Sequence, residues 1–87
     1  MVRSPLSDLD RQRGHALGRA LQSARGRRSA AEVAFRAGIS LDTLRKIERG
    51  AIPTPAFFSV AALASVLQLD LNALSDTLLT TERSSAA

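Results

Sequence analysis

The sequence of 87 residues contains no cysteine, no tryptophan and no tyrosine, and its single histidine is His15. Without cysteine the chain cannot form a disulfide, bind zinc through thiolates or use a thiol nucleophile. One histidine excludes a histidine metal cluster, and an isolated His15 is most simply a surface or packing residue. No nucleophile–base arrangement and no glycine-rich phosphate loop is found. We therefore expect a protein that is not an enzyme and that needs no cofactor.

Long apolar helical runs are also missing. Residues 50–69 carry no charge, and 20 such residues would span a bilayer if they formed one apolar helix. Pro53 and Pro55 interrupt the start of this segment, and its dense apolar part, 56–67, has the length of a buried core helix. No apolar segment typical of a secretory signal follows the N-terminus. We expect no membrane partner and a cytoplasmic location.

The positive charge is concentrated in one part of the chain. The net charge is +4, but residues 11–49 alone carry +7, whereas residues 1–10 carry −1 and residues 50–87 carry −2. Clustered positive charge attracts polyanions such as nucleic acid or acidic lipid. The alternative is a basic surface that is merely solvated. Because three phenylalanines are the only aromatic residues, no stacking surface for single strands is evident, which favours duplex DNA.

Hydrophobic spacing predicts an all-α chain of five helices without alternating strand patterns. The inward-facing residues of the first three helices are predicted to be Leu17, Ala20, Leu21 and Ala24, then Val33 and Ala34, then Leu44 and Ile47. Gly14 and Gly18 are expected to weaken the first helix, which begins after Ser7. Three segments are expected: a disordered N-terminus (1–7), the helical domain (8–79) and a polar tail (80–87).

Residues 29–49 have the spacing of a helix-turn-helix. Ser29 is a predicted N-cap, and Gly38 is predicted to end the short helix that follows. Ser40 is the next predicted N-cap, for a third helix over about 41–49. A helix, a three-residue turn containing glycine and a second helix together are typical of DNA-binding helix-turn-helix units.

The last two helices are predicted from their caps and their apolar content. Thr54 and Pro55 indicate an N-cap followed by proline in the first helical position. The fourth helix is apolar nearly all round, which predicts burial on most sides, with Phe57 and Phe58 in the core or at an interface. Asp70 is predicted to cap the fifth helix.

Several of these positions together resemble the λ-repressor/Cro-like (XRE) family of helix-turn-helix DNA-binding proteins. The matching positions are Leu17-Gly18 with Leu21, Val33-Ala34, Gly38-Ile39-Ser40, Leu44, Ile47-Glu48-Arg49-Gly50, and Leu71 with Leu74. The resemblance covers about residues 17–78 and implies a compact five-helix domain with its third helix in the DNA major groove. It also implies a partly buried ion pair between Arg25 and Glu48, and binding as a two-fold dimer with half-sites about 34 Å apart.

This sequence departs from the family pattern at the start of the second helix. The link from Arg25 to Ser29 is shorter than is usual. Ala30 stands where relatives often have a glutamine that clamps a phosphate. Arg27 or Arg28 is the candidate replacement for that clamp.

The candidate DNA-binding residues lie mainly on the third helix. They are Arg27, Arg28, Ser29, Ser40, Leu41, Asp42, Thr43, Arg45, Lys46 and Arg49. Arg45 either reads guanine or contacts phosphate only, and Leu41 either packs on a thymine methyl or packs at the helix start. Asp42 either accepts a hydrogen bond from cytosine or interacts with the positive end of the helix dipole. Lys46 and Arg49 either bind phosphates or are solvated, and Thr43 contacts a base or a phosphate.

The resulting hypothesis is a sequence-specific double-stranded DNA-binding protein, a small transcriptional regulator that acts as a homodimer. Phe58, Leu78 and Leu79 are a candidate dimer surface, with ordinary core packing as the alternative. A rival hypothesis is the antitoxin of a toxin–antitoxin pair, which adds a protein partner. Another is a protein-interaction module that has lost DNA binding. This hypothesis stays open because Ala30 lacks the amide that clamps a phosphate and the Asp42 carboxylate repels phosphate.

Overall fold

The computed structural model describes the backbone of residues 7–86 and the side chains of residues 7–79. Within that part of the chain there are five α-helices and no strand, so the all-α prediction is confirmed. The helices are α1 (Asp8–Arg25), α2 (Ala30–Ala37), α3 (Leu41–Glu48), α4 (Phe57–Leu67) and α5 (Leu71–Ala86). The Cα radius of gyration is 13.1 Å, close to the roughly 12 Å expected for a compact domain of this length. The disorder predicted for the N-terminus falls on residues outside the described ones, except for Ser7.

Serine hydroxyls begin three of the helices. Ser7, Ser29 and Ser40 each accept a hydrogen bond, at 3.0 to 3.2 Å, from the backbone N–H three residues further on. Gly38 ends α2 in the left-handed conformation, with φ at 75°, which glycine adopts without a steric penalty. Only residues 38–40 therefore separate α2 from α3, and the predicted helix-turn-helix spacing is confirmed.

The two glycines inside α1 do not interrupt it. A Cβ atom at Gly14 would lie 2.5 Å from the Cα atom of Pro53, and one at Gly18 would lie 2.6 Å from the carbonyl oxygen of Ile47. A side chain at either position would therefore collide with backbone. The sequence predicts weakening at these glycines, whereas the structure uses them to bring α1 directly against the end of α3 and the loop after it.

The core is built from aliphatic side chains of all five helices. Its buried members are Leu17, Leu21, Val33, Ala34, Leu44, Ile47, Leu63, Leu67 and Leu74. α1 packs against α3, α4 and α5, and α2 packs against α3 and α4. Leu63 of α4 is fully buried.

The predicted start of α4 is wrong. The helix begins at Phe57, and its N-cap is Ala56, which has extended backbone (φ −59°, ψ 140°) and makes no side-chain cap. Thr54 and Pro55 remain in the loop. The packing of Pro53 on Gly14 accounts for this, because it holds the loop against α1 and delays the helix by two residues.

α4 is buried or half-buried along most of its length, as predicted, but its first turn is exposed. Its buried residues are Leu63, Ala64 and Leu67, whereas the side chains of Phe57 and Phe58 are 65% and 82% exposed. α4 packs on α1 and α2, and these two helices cover one face of it. The exposed apolar residues of α4 are Phe57 and Phe58, and its other apolar residues are buried or half-buried.

α5 begins after Asp70, whose carboxylate accepts a hydrogen bond of 2.8 Å from the backbone N–H of Asn72. The backbone of α5 remains helical to Ala86, through most of the segment predicted as a polar tail. Among the described residues, no single helix is long and apolar enough to cross a membrane. Phe57–Leu67 and Leu71–Leu79 reach that length and composition only together, and they meet at a bend of 118°.

Candidate nucleic-acid interface

The orientation of α3 follows from its two buried side chains. Leu44 and Ile47 are at most 1% exposed, so the opposite side of the helix faces solvent. Asp42, Arg45 and Arg49 are exposed on that side. Leu41, Thr43 and Lys46 are half-buried beside them. The structure thus brings the predicted residues of the third helix onto one surface, which we call the α3 surface (Ser40 to Lys46 and Arg49, without Leu44).

Ser40 and Thr43 are bonded to each other at the start of α3. The Ser40 Oγ atom accepts from the Thr43 amide at 3.0 Å and donates to Thr43 Oγ1 at 2.8 Å. The two hydroxyls therefore hold the first turn of the helix. Ser29 has the same capping role in α2, where its Oγ atom accepts from the Glu32 amide at 3.2 Å.

Arg25 and Glu48 fix the C-terminal end of α3 to α1. The Nε and Nη2 atoms of Arg25 donate to the two carboxylate oxygens of Glu48 at 2.8 and 3.0 Å. The side chains are only 18% and 8% exposed. Hydrogen bonding to Glu48 raises the pKa of the Arg25 guanidinium above its ordinary value, although burial acts in the opposite direction. The ion pair implied by the family resemblance is present.

The remaining charges of the α3 surface are divided between paired and unpaired groups. Lys46 Nζ lies 2.9 Å from the Asp42 carboxylate, one helical turn away. Within the part of the chain that the structure describes, Arg45 and Arg49 have no carboxylate at ion-pair distance. The α3 surface therefore presents two uncompensated guanidinium groups, and the charge of Lys46 is balanced by Asp42.

The arginines before α2 are placed differently from one another. Arg27 is exposed in the turn between α1 and α2. Arg28 is half-buried, and its Nη1 atom donates to the carbonyl oxygen of Val66 at 3.0 Å. This bond satisfies a carbonyl near the C-terminal end of α4. Arg28 thus supports the fold, whereas the Arg27 side chain is exposed to solvent.

A cavity of about 160 Å³ lies beside α3, and sequence reasoning did not find one of its residues. Its lining is formed by Gln22 of α1 together with Arg45, Glu48 and Arg49. Gln22 is exposed and lies one turn before Arg25 on α1. Its signal in the sequence is this spacing, because a residue one turn from the partner of Glu48 lies on the same side of α1.

The candidate dimer residues lie at the surface to different degrees. Phe58 is 82% exposed and Leu79 is 44% exposed, whereas Leu78 is half-buried and packs against the core. Phe58 packs edge to face on Phe57, with ring centroids 5.4 Å apart and an interplanar angle of 72°. Phe35 of α2 is 84% exposed as well. All three aromatic side chains of the protein are therefore at the surface.

Comparison with known proteins agrees with this geometry. A search of curated proteins found no significant match. A family model described as a helix-turn-helix domain matches residues 16–77, which include α2, α3, α4 and the part of α1 that carries Arg25. Helix-turn-helix domains are DNA-binding units and are typically not enzymes. The match covers most of the chain, and the chain belongs to the helix-turn-helix domain family.

Proposed function

We propose that this protein binds double-stranded DNA with sequence preference and acts in the cytoplasm as a small transcriptional regulator. α3 enters the major groove, where its first turns approach the base edges. The observation that carries the proposal is the pair of uncompensated guanidinium groups, Arg45 and Arg49, on the exposed side of the second helix of a helix-turn-helix. Family membership supports DNA binding in general.

Within this proposal the residues of the α3 surface have different roles. Arg45 lies nearer the start of α3 than Arg49, and its planar fork matches the O6 and N7 acceptors of guanine. Arg49 follows the last helical residue and is placed for the phosphate backbone. Leu41 is half-buried at the start of the helix and offers a thymine methyl an apolar contact. Asp42 balances Lys46 and limits the attraction of the helix for phosphate.

The test is a selection of bound duplexes from a random pool by the purified protein. Arg45→Ala should reduce preference at one base position by about 1–3 kcal/mol. Arg49→Ala should weaken all duplexes alike and reduce the salt slope of log affinity by about 0.9. Arg11→Ala is the matched control. Arg11 lies near the start of α1, outside the α3 surface, and already pairs with Asp8 at 3.4 Å. No measurable binding of the unaltered protein to any duplex at low salt would contradict the proposal.

A protein partner is a second candidate, and the exposed aromatic side chains favour it. Phe35, Phe57 and Phe58 are each at least 65% exposed, whereas phenylalanine is among the residues most often buried. A second copy bound through exposed aromatic side chains gives the two-fold dimer, with half-sites about 34 Å apart. A toxin bound through these side chains instead gives an antitoxin, which a neighbouring gene for a small toxin would support. An interaction module without DNA affinity differs from both by the absence of duplex binding.

A further inference from the structure

The cavity beside α3 is formed jointly by α1 and α3. Gln22 lines it from α1, and Arg45 and Arg49 line it from the C-terminal half of α3. The amide of Arg49 donates to the carbonyl of Arg45 at 3.1 Å, so the two arginines are one helical turn apart. Their side chains are therefore neighbours on one side of α3.

The cavity carries a net positive charge, although Glu48 also lines it. Both carboxylate oxygens of Glu48 are occupied by Arg25, at 2.8 and 3.0 Å, and that ion pair cancels the charge of Glu48. Arg45 and Arg49 have no carboxylate at ion-pair distance among the described residues. An anion that enters the cavity thus meets two guanidinium groups and no unbalanced carboxylate.

The donors that line the cavity suit a phosphate group. A guanidinium offers planar pairs of N–H donors that match two phosphate oxygens. The amide of Gln22 adds two more donors without a charge. The cavity, of about 160 Å³, is open to solvent and has space for more than a single water molecule. A phosphate group with part of its hydration shell therefore has room in the cavity.

We propose that this cavity receives one phosphate of the DNA backbone, clamped between Gln22 of α1 and Arg49 of α3. The inference rests on the proposed function and adds α1 to the DNA contact. Arg45 forms part of the same wall and extends towards the bases. Because Arg25 and Glu48 lock α1 to α3, a phosphate bound by both helices sets the angle at which α3 enters the groove. Contacts of this type fix register and orientation rather than sequence.

Gln22 variants test the clamp through the salt dependence of binding to a duplex of random sequence. Gln22→Ala should weaken binding by about three- to tenfold at every salt concentration, because a neutral amide contributes a hydrogen bond but releases no counterion. Gln22→Lys should make the slope of log affinity against log salt steeper by about 0.9. Asn72→Ala is the matched control, an exposed neutral amide on α5 that does not line the cavity.

The outcomes separate this inference from the proposed function. If the unaltered protein binds the duplex and Gln22→Ala and Gln22→Lys bind with unchanged affinity and slope, the clamp is refuted and the proposed function stands. If the unaltered protein binds no duplex, both fail. In a parallel NMR titration, the Gln22 side-chain amide should shift with the duplex at far lower concentration than with inorganic phosphate at equal ionic strength, because the other contacts of the duplex hold its phosphate in place. A shift with inorganic phosphate alone would assign the cavity to a free phosphate and overturn the backbone contact.

Discussion

Arg25 and Glu48, which are 23 residues apart in the chain, connect the end of α1 to the last residue of α3 through two hydrogen bonds. The third nitrogen of the same guanidinium donates to the carbonyl oxygen of Arg28 at 2.9 Å. One side chain therefore fixes both the turn before α2 and the end of α3. The helix-turn-helix is held at its beginning and at its end by the same residue.

Removal of the Glu48 carboxylate should destabilise the protein. Glu48→Ala leaves the mostly buried Arg25 charge without its acceptor, and we expect the free energy of unfolding to fall by about 1–3 kcal/mol in urea denaturation. Lys46→Ala breaks the exposed pair with Asp42 and should change it by less than about 0.5 kcal/mol. If both substitutions lower the free energy of unfolding equally, the buried pair contributes no more to stability than the exposed pair.

The contribution of Arg25 should not vary between neutral and moderately alkaline pH. Because its pKa is raised in the folded protein, the stabilisation is fully present below the unfolded-state pKa. It declines only as pH rises through the folded-state value. The difference in unfolding free energy between the unaltered protein and Glu48→Ala should therefore stay constant over this range. A difference that shrinks on mild alkalinisation would contradict this assignment.

Gly18→Ala should destabilise the protein despite the higher helix propensity of alanine. The new Cβ atom would lie 2.6 Å from the carbonyl oxygen of Ile47, and backbone must move to relieve the contact. We expect a loss of about 1–3 kcal/mol, or a fall in Tm of several degrees, by circular dichroism. Ser23→Ala, at an exposed position of the same helix, should leave Tm nearly unchanged. A higher Tm for Gly18→Ala would contradict the close packing of α1 on α3.

Asp42→Asn should strengthen binding to duplex DNA of any sequence. The substitution releases Lys46 from its 2.9 Å ion pair and removes a carboxylate that repels phosphate. The salt slope of log affinity should become steeper by about 0.9, as measured by fluorescence anisotropy. Asp8→Asn is the control. It removes a carboxylate at the first residue of α1, outside the α3 surface, and should leave the slope unchanged. Weaker binding by Asp42→Asn would instead favour direct contact of Asp42 with a base.

Phe58→Ser should leave the fold intact. The Phe58 side chain is 82% exposed, so we expect the free energy of unfolding of the monomer to change by less than about 0.5 kcal/mol. Leu63→Ala, in the core, should cost about 2–5 kcal/mol. If the proposed dimer uses this face, sedimentation equilibrium should show weaker self-association for Phe58→Ser. A monomer at high micromolar concentration for the unaltered protein would remove the dimer proposal.

Short-range signals predicted most of the helix-turn-helix. Ser29 and Ser40 cap their helices, and Gly38 adopts the left-handed conformation, because each depends on backbone groups within a few residues. The burial of Leu44 and Ile47 follows from their spacing in the same local way. Arg25 and Glu48 lie too far apart for such signals, and their pairing was anticipated through the family resemblance instead.

Contacts between distant segments account for the errors. Pro53 packs on Gly14, 39 positions earlier in the chain, and this contact moved the start of α4 beyond Thr54 and Pro55. The apolar residues of α4 do not reveal which of its faces another helix covers, so the sequence leaves Phe58 open between core packing and a dimer surface, and the structure places it at the surface. The sequence does not point to Gln22, because its place in the lining of the cavity depends on where α1 crosses α3.

The close approach at Gly18 has a consequence for how such a protein diverges. α1 contacts the main chain of α3 at Gly18. The orientation of α3 relative to α1 therefore does not depend on the side chains at positions 42, 45 and 49. Those positions are free to change the surface offered to a partner without compensating changes in the core. If the protein binds DNA as proposed, single substitutions at these positions would change its specificity on an unaltered framework.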